Sequence, residues 1–444
     1  MMSVIRSWFL TRRFFVALAV CVAGLVLSYW LPVLLLPMKL ATVVLGAVVL
    51  GETILLYGIR HAIDAERVSA ARLSNGDDNV IRIVVTSRYA FRARLEIIDE
   101  LPYQFQIRTW SHHARIGARG TYDMAYTLRP LHRGEYRFGA INVFAGSPIG
   151  FVQRRFACDA ERMLPVYPSY IQMKKFELLA FSNRLSRHGM KRIRRIGHTM
   201  EFEKIKQYVA GDDVRTMNWK ATARSGEMMV NQYQDERSQD VYSVIDMGRA
   251  MKMPFDGMTL LDYAVNASLV ISNIAIKKHD RVGLITYGHQ PGNLLASDGT
   301  PSQMGRILES LYHVNTDFRE SSDELLYSLV KNMVRQRSLL LYYTNVESIT
   351  TLRRRIPYLR AIARRHLLVV LLFENTELKE LTKEAPETVE AIYVRTVAEI
   401  TALQKREIVR ELQRHGIVAV LTPPSGLTTA TINTYLELKA RGVI

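Results

Sequence analysis

Asp240–Asp246, read DVYSVID, is an apolar run that ends in a carboxylate, and Met258–Lys278 after it carries Leu261, Ala264, Ser268, Ile271 and Ala275 on one helical stripe. Strand, loop and helix, with a polar group at the strand end, open a doubly wound α/β domain. Further apolar runs at Arg281–Tyr287, Ser338–Tyr343, His366–Phe373, Ala391–Val394 and Ile417–Leu421 alternate with helix-like segments. Residues 239–444 are therefore expected to form a mostly parallel, Rossmann-like sheet with helices on both faces.

Upstream, residues 169–238 read as a basic linker followed by a connector. Arg184, Arg187, Lys191, Arg192, Arg194 and Arg195, with His188, crowd residues 184–195. Such a run suits anionic lipid, a partner protein or plain solvation. It lacks the interleaved aromatics of single-strand binders, so no nucleic acid is expected, and an anionic lipid or nucleic-acid binder stays only as an alternative. Then come Glu201, Tyr208, Gly211, Asp212, Asp213, Arg215, Trp219, Lys220, Thr222 and Arg224, mixed too densely for an amphipathic helix or a solvated loop. One reading is a salt-bridged connector with Trp219 as its apolar anchor. The other is a paired-carboxylate site, although no His or Cys accompanies it to complete a catalytic set.

Between residues 76 and 168 the pattern is short and β-rich. Val80–Thr86, Leu95–Ile98, Tyr103–Arg108, Tyr122–Leu128, Tyr136–Phe144 and Phe151–Phe156 read as strands of a small antiparallel β-sandwich. Its arginines, among them Arg82, Arg92, Arg94, Arg108, Arg115 and Arg119, alternate with apolar residues and are expected to face solvent.

Residues 1–60 contain two apolar runs, Phe14–Leu31 without a charge and Leu40–Tyr57 with only Glu52. Each is about long enough to span a bilayer, predicting a transmembrane hairpin with helices near 14–31 and 40–57. Arg6, Arg12 and Arg13 precede it, Lys39 sits in the turn, and Arg60, Arg67 and Arg72 follow. The positive-inside rule then puts both ends and the soluble domains in the cytoplasm, at the inner membrane. Glu52, near the cytoplasmic end, is expected to reach the interface.

Composition agrees with a folded, multidomain chain: 444 residues, 48% hydrophobic and 23% charged. Two cysteines, Cys21 and Cys158, exclude a disulfide scaffold. Residues 1–238 hold 34 Lys and Arg against 20 Asp and Glu, so the basic excess lies in the first half. There is no phosphate-binding glycine loop, HExxH, Cys-x-x-Cys or Gly-x-Ser-x-Gly motif, so nothing suggests an ATPase, zinc hydrolase or serine esterase.

The run from Glu201 to Arg224 resembles the hallmark of the bacterial domain of unknown function 58. Asp99-Glu100-Leu101-Pro102, Arg133-Gly134-Glu135-Tyr136, Pro148-Ile149-Gly150-Phe151 and Val166-Tyr167-Pro168 extend the likeness. The resemblance implies a partner, a MoxR-type AAA+ ATPase, more than a reaction. The last domain resembles the von Willebrand factor type A domain, whose metal-ion-dependent adhesion site takes an Asp-x-Ser-x-Ser loop, a Thr and an Asp. Asp246 keeps the first carboxylate, Gly248 and Ala250 replace the serines, Thr300 matches the threonine, and Asn345 stands for the later aspartate. This degenerate set is expected to bind a divalent ion such as magnesium weakly or not at all, and no other cofactor is expected. The leading expectation is a non-enzymatic, membrane-anchored adaptor that contacts the ATPase, client proteins and membrane lipid. The rival is a metal-dependent hydrolase using Asp212, Asp213 and Asp246.

Overall fold

Ile63–Val68 and Asn79–Ser87 alternate buried and exposed side chains along their whole length, the period of a sheet with one wet face. Asp240–Asp246 and Leu339–Tyr343 are buried at every position, as strands covered on both faces must be. The computed structural model describes residues 7–181, 201–209, 212, 214–234, 238–316, 318–381 and 388–443. The chain is multidomain α/β with two units, one up to Tyr167 and one from Pro168.

The first unit is built on sheets whose pairs are antiparallel except that of Leu73–Ser74 with Arg162–Tyr167, which is parallel. Five strands pair in the order Trp8–Leu10, Val152–Cys158, Ile141–Gly146, Ala93–Asp99 and His112–Ile116. Ile63–Val68, Asn79–Ser87 and Thr121–Leu128 form a second sheet, and Leu73–Ser74, Arg162–Tyr167 and Gly134–Phe138 a third. Strands thus begin well before residue 76. Tyr103–Arg108 is no strand: Tyr103–Phe105 is a single 3-10 turn, and Gln106 at φ 54° breaks the extended path. Tyr136–Phe144 divides at Gly139, where a side chain would collide with Glu100. Arg82, Arg92, Arg108, Arg115 and Arg119 are exposed, whereas Arg67 is fully buried and bonds Asp99 and the Gly139 carbonyl.

Pro32–Tyr57 is a helix of 26 residues with a mean hydropathy of 2.4, long and apolar enough to cross a membrane by length and composition. It begins well before residue 40 because Pro37 falls in the first turn of Leu35–Tyr57, where a missing N–H costs nothing. The helix before it, Arg12–Leu27, has 16 residues. It stops short of residue 31, and at about 1.5 Å per residue it reaches roughly 24 Å. The two helices meet at Gly24, where a Cβ would strike Met38 Sδ.

Glu52 does not reach outward. It is 4% exposed, and its carboxyl oxygens accept hydrogen bonds from the Ser147 hydroxyl and from the Gly150, Phe151 and Val152 amides at 2.9, 2.9 and 2.8 Å. Gly150 turns at φ +85° to aim its amide inward. At the helix end Arg154 donates to the Leu56, Ile59 and Arg60 carbonyls, and the Tyr89 hydroxyl donates to Leu56. These groups satisfy carbonyls that a helix C-terminus leaves open.

The second unit carries a six-stranded sheet in the order Pro291–Asp298, Arg281–Tyr287, Asp240–Asp246, Leu339–Tyr343, Leu367–Phe373 and Val418–Thr422. All pairs are parallel except the first. Leu260–Lys277, capped by a Thr259–Asp262 box, packs with Leu427–Ala440 on one face. Asp323–Met333, Ile349–Ala363 and the end of Val389–Arg414 cover the other. Ala391–Val394 is therefore helix, not strand: Thr388 caps Ala391 and starts a run of 26 residues.

Replacing Glu52 with Ala leaves the Phe151 and Val152 amides and the Ser147 hydroxyl without acceptors, while the Gly150 amide keeps Ser147 Oγ at 3.1 Å. The cost is about 1–3 kcal/mol for each group that stays buried. Glu52→Ala is expected to lower the melting temperature of the purified protein in detergent clearly more than Glu52→Gln. Equal melting temperatures for both variants and the native protein would show that the clamp is dispensable.

Candidate functional site

The chain runs from Asp240–Asp246 to one side of the sheet and returns for Leu339–Tyr343 on the other, so these two neighbours form the switch point of the sheet. Crevices at such points, beyond the carboxyl ends of the strands, are where open α/β domains bind. Here the crevice is a cleft of about 310 Å³ lined by Arg249, Ala250, Ser321, Asp323, Asn345, Glu347 and Arg355, among others.

Asp246, 1% exposed, lies beneath it. Its Oδ1 accepts the Gly248 amide at 2.8 Å, and its Oδ2 accepts the Thr344 hydroxyl at 2.6 Å. The Arg355 Nη1 lies 3.6 Å from the same Oδ2, and Arg355 Nε lies 3.4 Å from Asp323 Oδ2. Arg355 also donates to Thr344 Oγ1 at 3.2 Å and to Ser321 Oγ at 3.5 Å. The guanidinium, 7% exposed, thus sits among two carboxylates and two hydroxyls. Burial opposes its charge, but Tyr342, Tyr287, Asp246 and Asp323 together hold its pKa above the ordinary value. Burial raises the Asp323 pKa to about 6, with Arg355 pulling it down and Asp246 pushing it up. Lys405 supplies a second interior cation, bonding Asn345 Oδ1 at 2.5 Å and the Val346 carbonyl at 2.7 Å, and burial lowers its pKa to about 8.

The expected metal residues do not converge. Asn345 and Asp246 share the switch point, but Thr300 follows Asp298, which pairs with Val282 at the opposite end of the sheet from Asp246. An antiparallel hairpin carries it there, so Thr300 stands just before the helix Pro301–Tyr312 and its hydroxyl donates to Asp298 instead. At Gly248 a Cβ would lie 2.9 Å from Ser321 Oγ and 3.0 Å from Asp246 Oδ1, so there is no room for a serine. With a guanidinium among the oxygens and Lys405 on Asn345, the residues do not fit a divalent ion. Among the described residues no group of three His, Cys, Asp or Glu is placed to hold one.

The sequence reading missed Thr344, Ser321, Asp323, Arg355 and Lys405. Two carried a signal. Arg355 interrupts the inward stripe Leu352, Ile356, Leu359 and Ile362, and Lys405 that of Ala398, Ile408 and Leu412.

The connector is an antiparallel hairpin, Glu201–Gln207 with Met229–Gln234, bearing the short helix Trp219–Ser225. Asp212 is bound to Lys206 at 2.8 Å and accepts the Val209 amide at 3.0 Å, bonds that lower its pKa. Thr222 bonds the Asn218 carbonyl and accepts the Met229 amide, and the Tyr208 amide bonds the Met228 carbonyl. Asn218 caps the helix by accepting the Ala221 amide. Trp219 is no buried anchor: it is 69% exposed, beside exposed Lys220 and Arg224. Gly211, Asp213, the side chains of Glu201 and Arg215, and the basic run 184–195 lie outside the described residues.

Residues 204–415 match the family described as Protein of unknown function DUF58. The Uncharacterized protein YeaD of Bacillus subtilis (strain 168) is 24% identical over 123 residues, 28% of this chain and 30% of that relative's own length. Among solved structures, conserved hypothetical protein BatB from Bacteroides thetaiotaomicron is 13% identical, covering 46% of this chain and 100% of its own at a TM-score of 0.31. The PapD-like domain 7 of human CEP192 is 8% identical, covering 24% of this chain and 87% of its own at a TM-score of 0.19.

A carboxyl whose pKa is raised on folding stabilises the fold below its unfolded value, near 4, and that contribution is lost as pH rises through about 6. The loss is on the order of 2 kcal/mol. The urea midpoint of the native protein is expected to fall between pH 4.5 and 7 relative to Asp323→Asn, and parallel pH profiles would place the titration elsewhere.

Proposed function

We propose that this chain is a membrane-anchored, non-enzymatic adaptor that works with a MoxR-type AAA+ ATPase through protein–protein contacts. The observation that carries this reading is the exposure of Trp219. A tryptophan 69% open to solvent, on a hairpin that also exposes Val209, Val214 and Met228 at 63, 61 and 56%, has surface to bury against another protein. Tryptophan is enriched among the residues that dominate binding energy, and Lys220 and Arg224 beside it favour an acidic partner surface. Asp212 and Asp246 are each held by internal cations, which favours contact over catalysis.

The anchor is read as a two-helix hairpin, with the apolar helix Pro32–Tyr57 as its full span and Arg12–Leu27 as a shorter companion. Arg12, Arg13 and Arg60 on its outer flanks favour a cytoplasmic placement of the soluble parts at an inner membrane. The sheet order and its switch-point cleft support a von Willebrand factor type A-like domain in the second unit. The ATPase partner rests on the family likeness across residues 204–415. Client proteins and membrane lipid are further partners on this reading.

Full-length protein in nanodiscs, titrated with a purified MoxR-type ATPase from the same genome, tests it. Binding is expected together with a change in ATP turnover, and Trp219→Ala is expected to weaken binding by about 2 kcal/mol, roughly 30-fold. No binding and unchanged turnover would reject the adaptor.

A further inference from the structure

We propose that Arg355 is the resident cation of the strand-end cleft, occupying the position where an oxygen-ligated divalent ion would otherwise sit. Four oxygen-bearing side chains converge on one guanidinium: Asp246 at 3.6 Å, Asp323 at 3.4 Å, Thr344 at 3.2 Å and Ser321 at 3.5 Å. Two carboxylates and two hydroxyls, completed by water, form a donor set suited to a hard cation. Asp323 Oδ1 adds a buried oxygen with no hydrogen-bond partner in the structure.

A bound ion and the arginine exclude each other. The guanidinium lies within hydrogen-bonding or ion-pairing reach of all four donors, leaving no path by which an ion meets them together. Buried carboxylates need a compensating charge, and here the covalent chain supplies it. The arginine is also held in place, because its helix begins at a Ser348 cap and buries Leu352, Ile356, Leu359 and Ile362 around it. The cation therefore neither exchanges nor responds to magnesium. Whatever docks on this cleft meets a surface of fixed charge, and its binding does not depend on divalent ions.

Removing the guanidinium should uncover the ion site. Full-length protein in detergent, in its native form and as Arg355→Ser, is titrated with Mn²⁺ and followed by the electron paramagnetic resonance of free Mn²⁺ and by melting temperature. The native protein is expected to take up no ion. Arg355→Ser is expected to melt lower, to bind one Mn²⁺ with a Kd of roughly 0.1–1 mM, the range of weak oxygen-ligand sites, and to recover melting temperature as the ion binds. A second substitution, Asp246→Ala, should abolish that uptake. If Arg355→Ser does not fold, Arg355→Gln, which keeps most of the side-chain volume and loses only the charge, takes its place in the same titration. Uptake by the native protein that vanishes in Asp246→Ala would overturn the proposal, as would a folded Arg355 variant that takes up no ion.

Discussion

A carboxylate at the end of a strand buried on both faces cannot be left alone. Taking an isolated charge out of water costs far more than the whole net stability of a domain, so a partner must be built beside it. In the second unit that partner is Arg355, and the constraint reaches through the fold. The arginine sits on the inner stripe of Ile349–Ala363 and displaces an apolar residue there. The helix must lie close enough to the strand ends for the guanidinium to reach Asp246, and Ser321 and Asp323 must turn back over it. The cleft is shaped by this compensation as much as by the strand order.

The first unit solves the same problem with another arginine. Arg67 is buried within the first unit against Asp99, with Tyr126 on the same carboxylate and Phe138 under the guanidinium at 4.8 Å. A charge that a flank count assigns to the membrane surface is thus removed from it, while Arg154 goes to the C-terminal carbonyls of the apolar helix. Glu52 completes the attachment by gathering three successive amides of one loop. The apolar helix is thus held to the strands of the first unit through both its backbone end and an internal side chain.

How much of this was legible depended on what each residue was paired with. Five strands of the second unit's sheet were readable because strands covered on both faces become continuous apolar runs, whereas the antiparallel edge strand Pro291–Asp298, half-exposed along its length, was not. Ala391–Val394 looked the same for a different reason: Ile392, Tyr393 and Val394 are exposed on the first turns of a helix, and four residues cannot separate the two periods. Strands such as Ile63–Val68, with Asp64, Glu66 and Arg67 in six residues, hid because half their side chains face water and one charge faces inward. Asp246 was found from its place at a strand end, but Arg355 lies over a hundred residues away, and only tertiary folding joins them. Thr300 failed for the converse reason, since matching a motif along the chain ignores the antiparallel strand that carries it to the far end of the sheet.

An interior arginine and a bound ion satisfy the same carboxylate, yet they differ in what they allow afterwards. An ion site is regulated by concentration and can lend an open coordination position to a ligand. A guanidinium fixed by two carboxylates and two hydroxyls has spent its donors inside the protein and offers neither. On the proposed adaptor reading, recognition by the second unit then comes from side chains that remain unspent at its surface. Trp219, Lys220 and Arg224 meet that condition, and they stand on a hairpin whose internal bonds are made by Asn218, Thr222 and Asp212. The polar residues of the 201–224 run divide the work: some hold the hairpin together, so that the aromatic and basic ones are free to be presented.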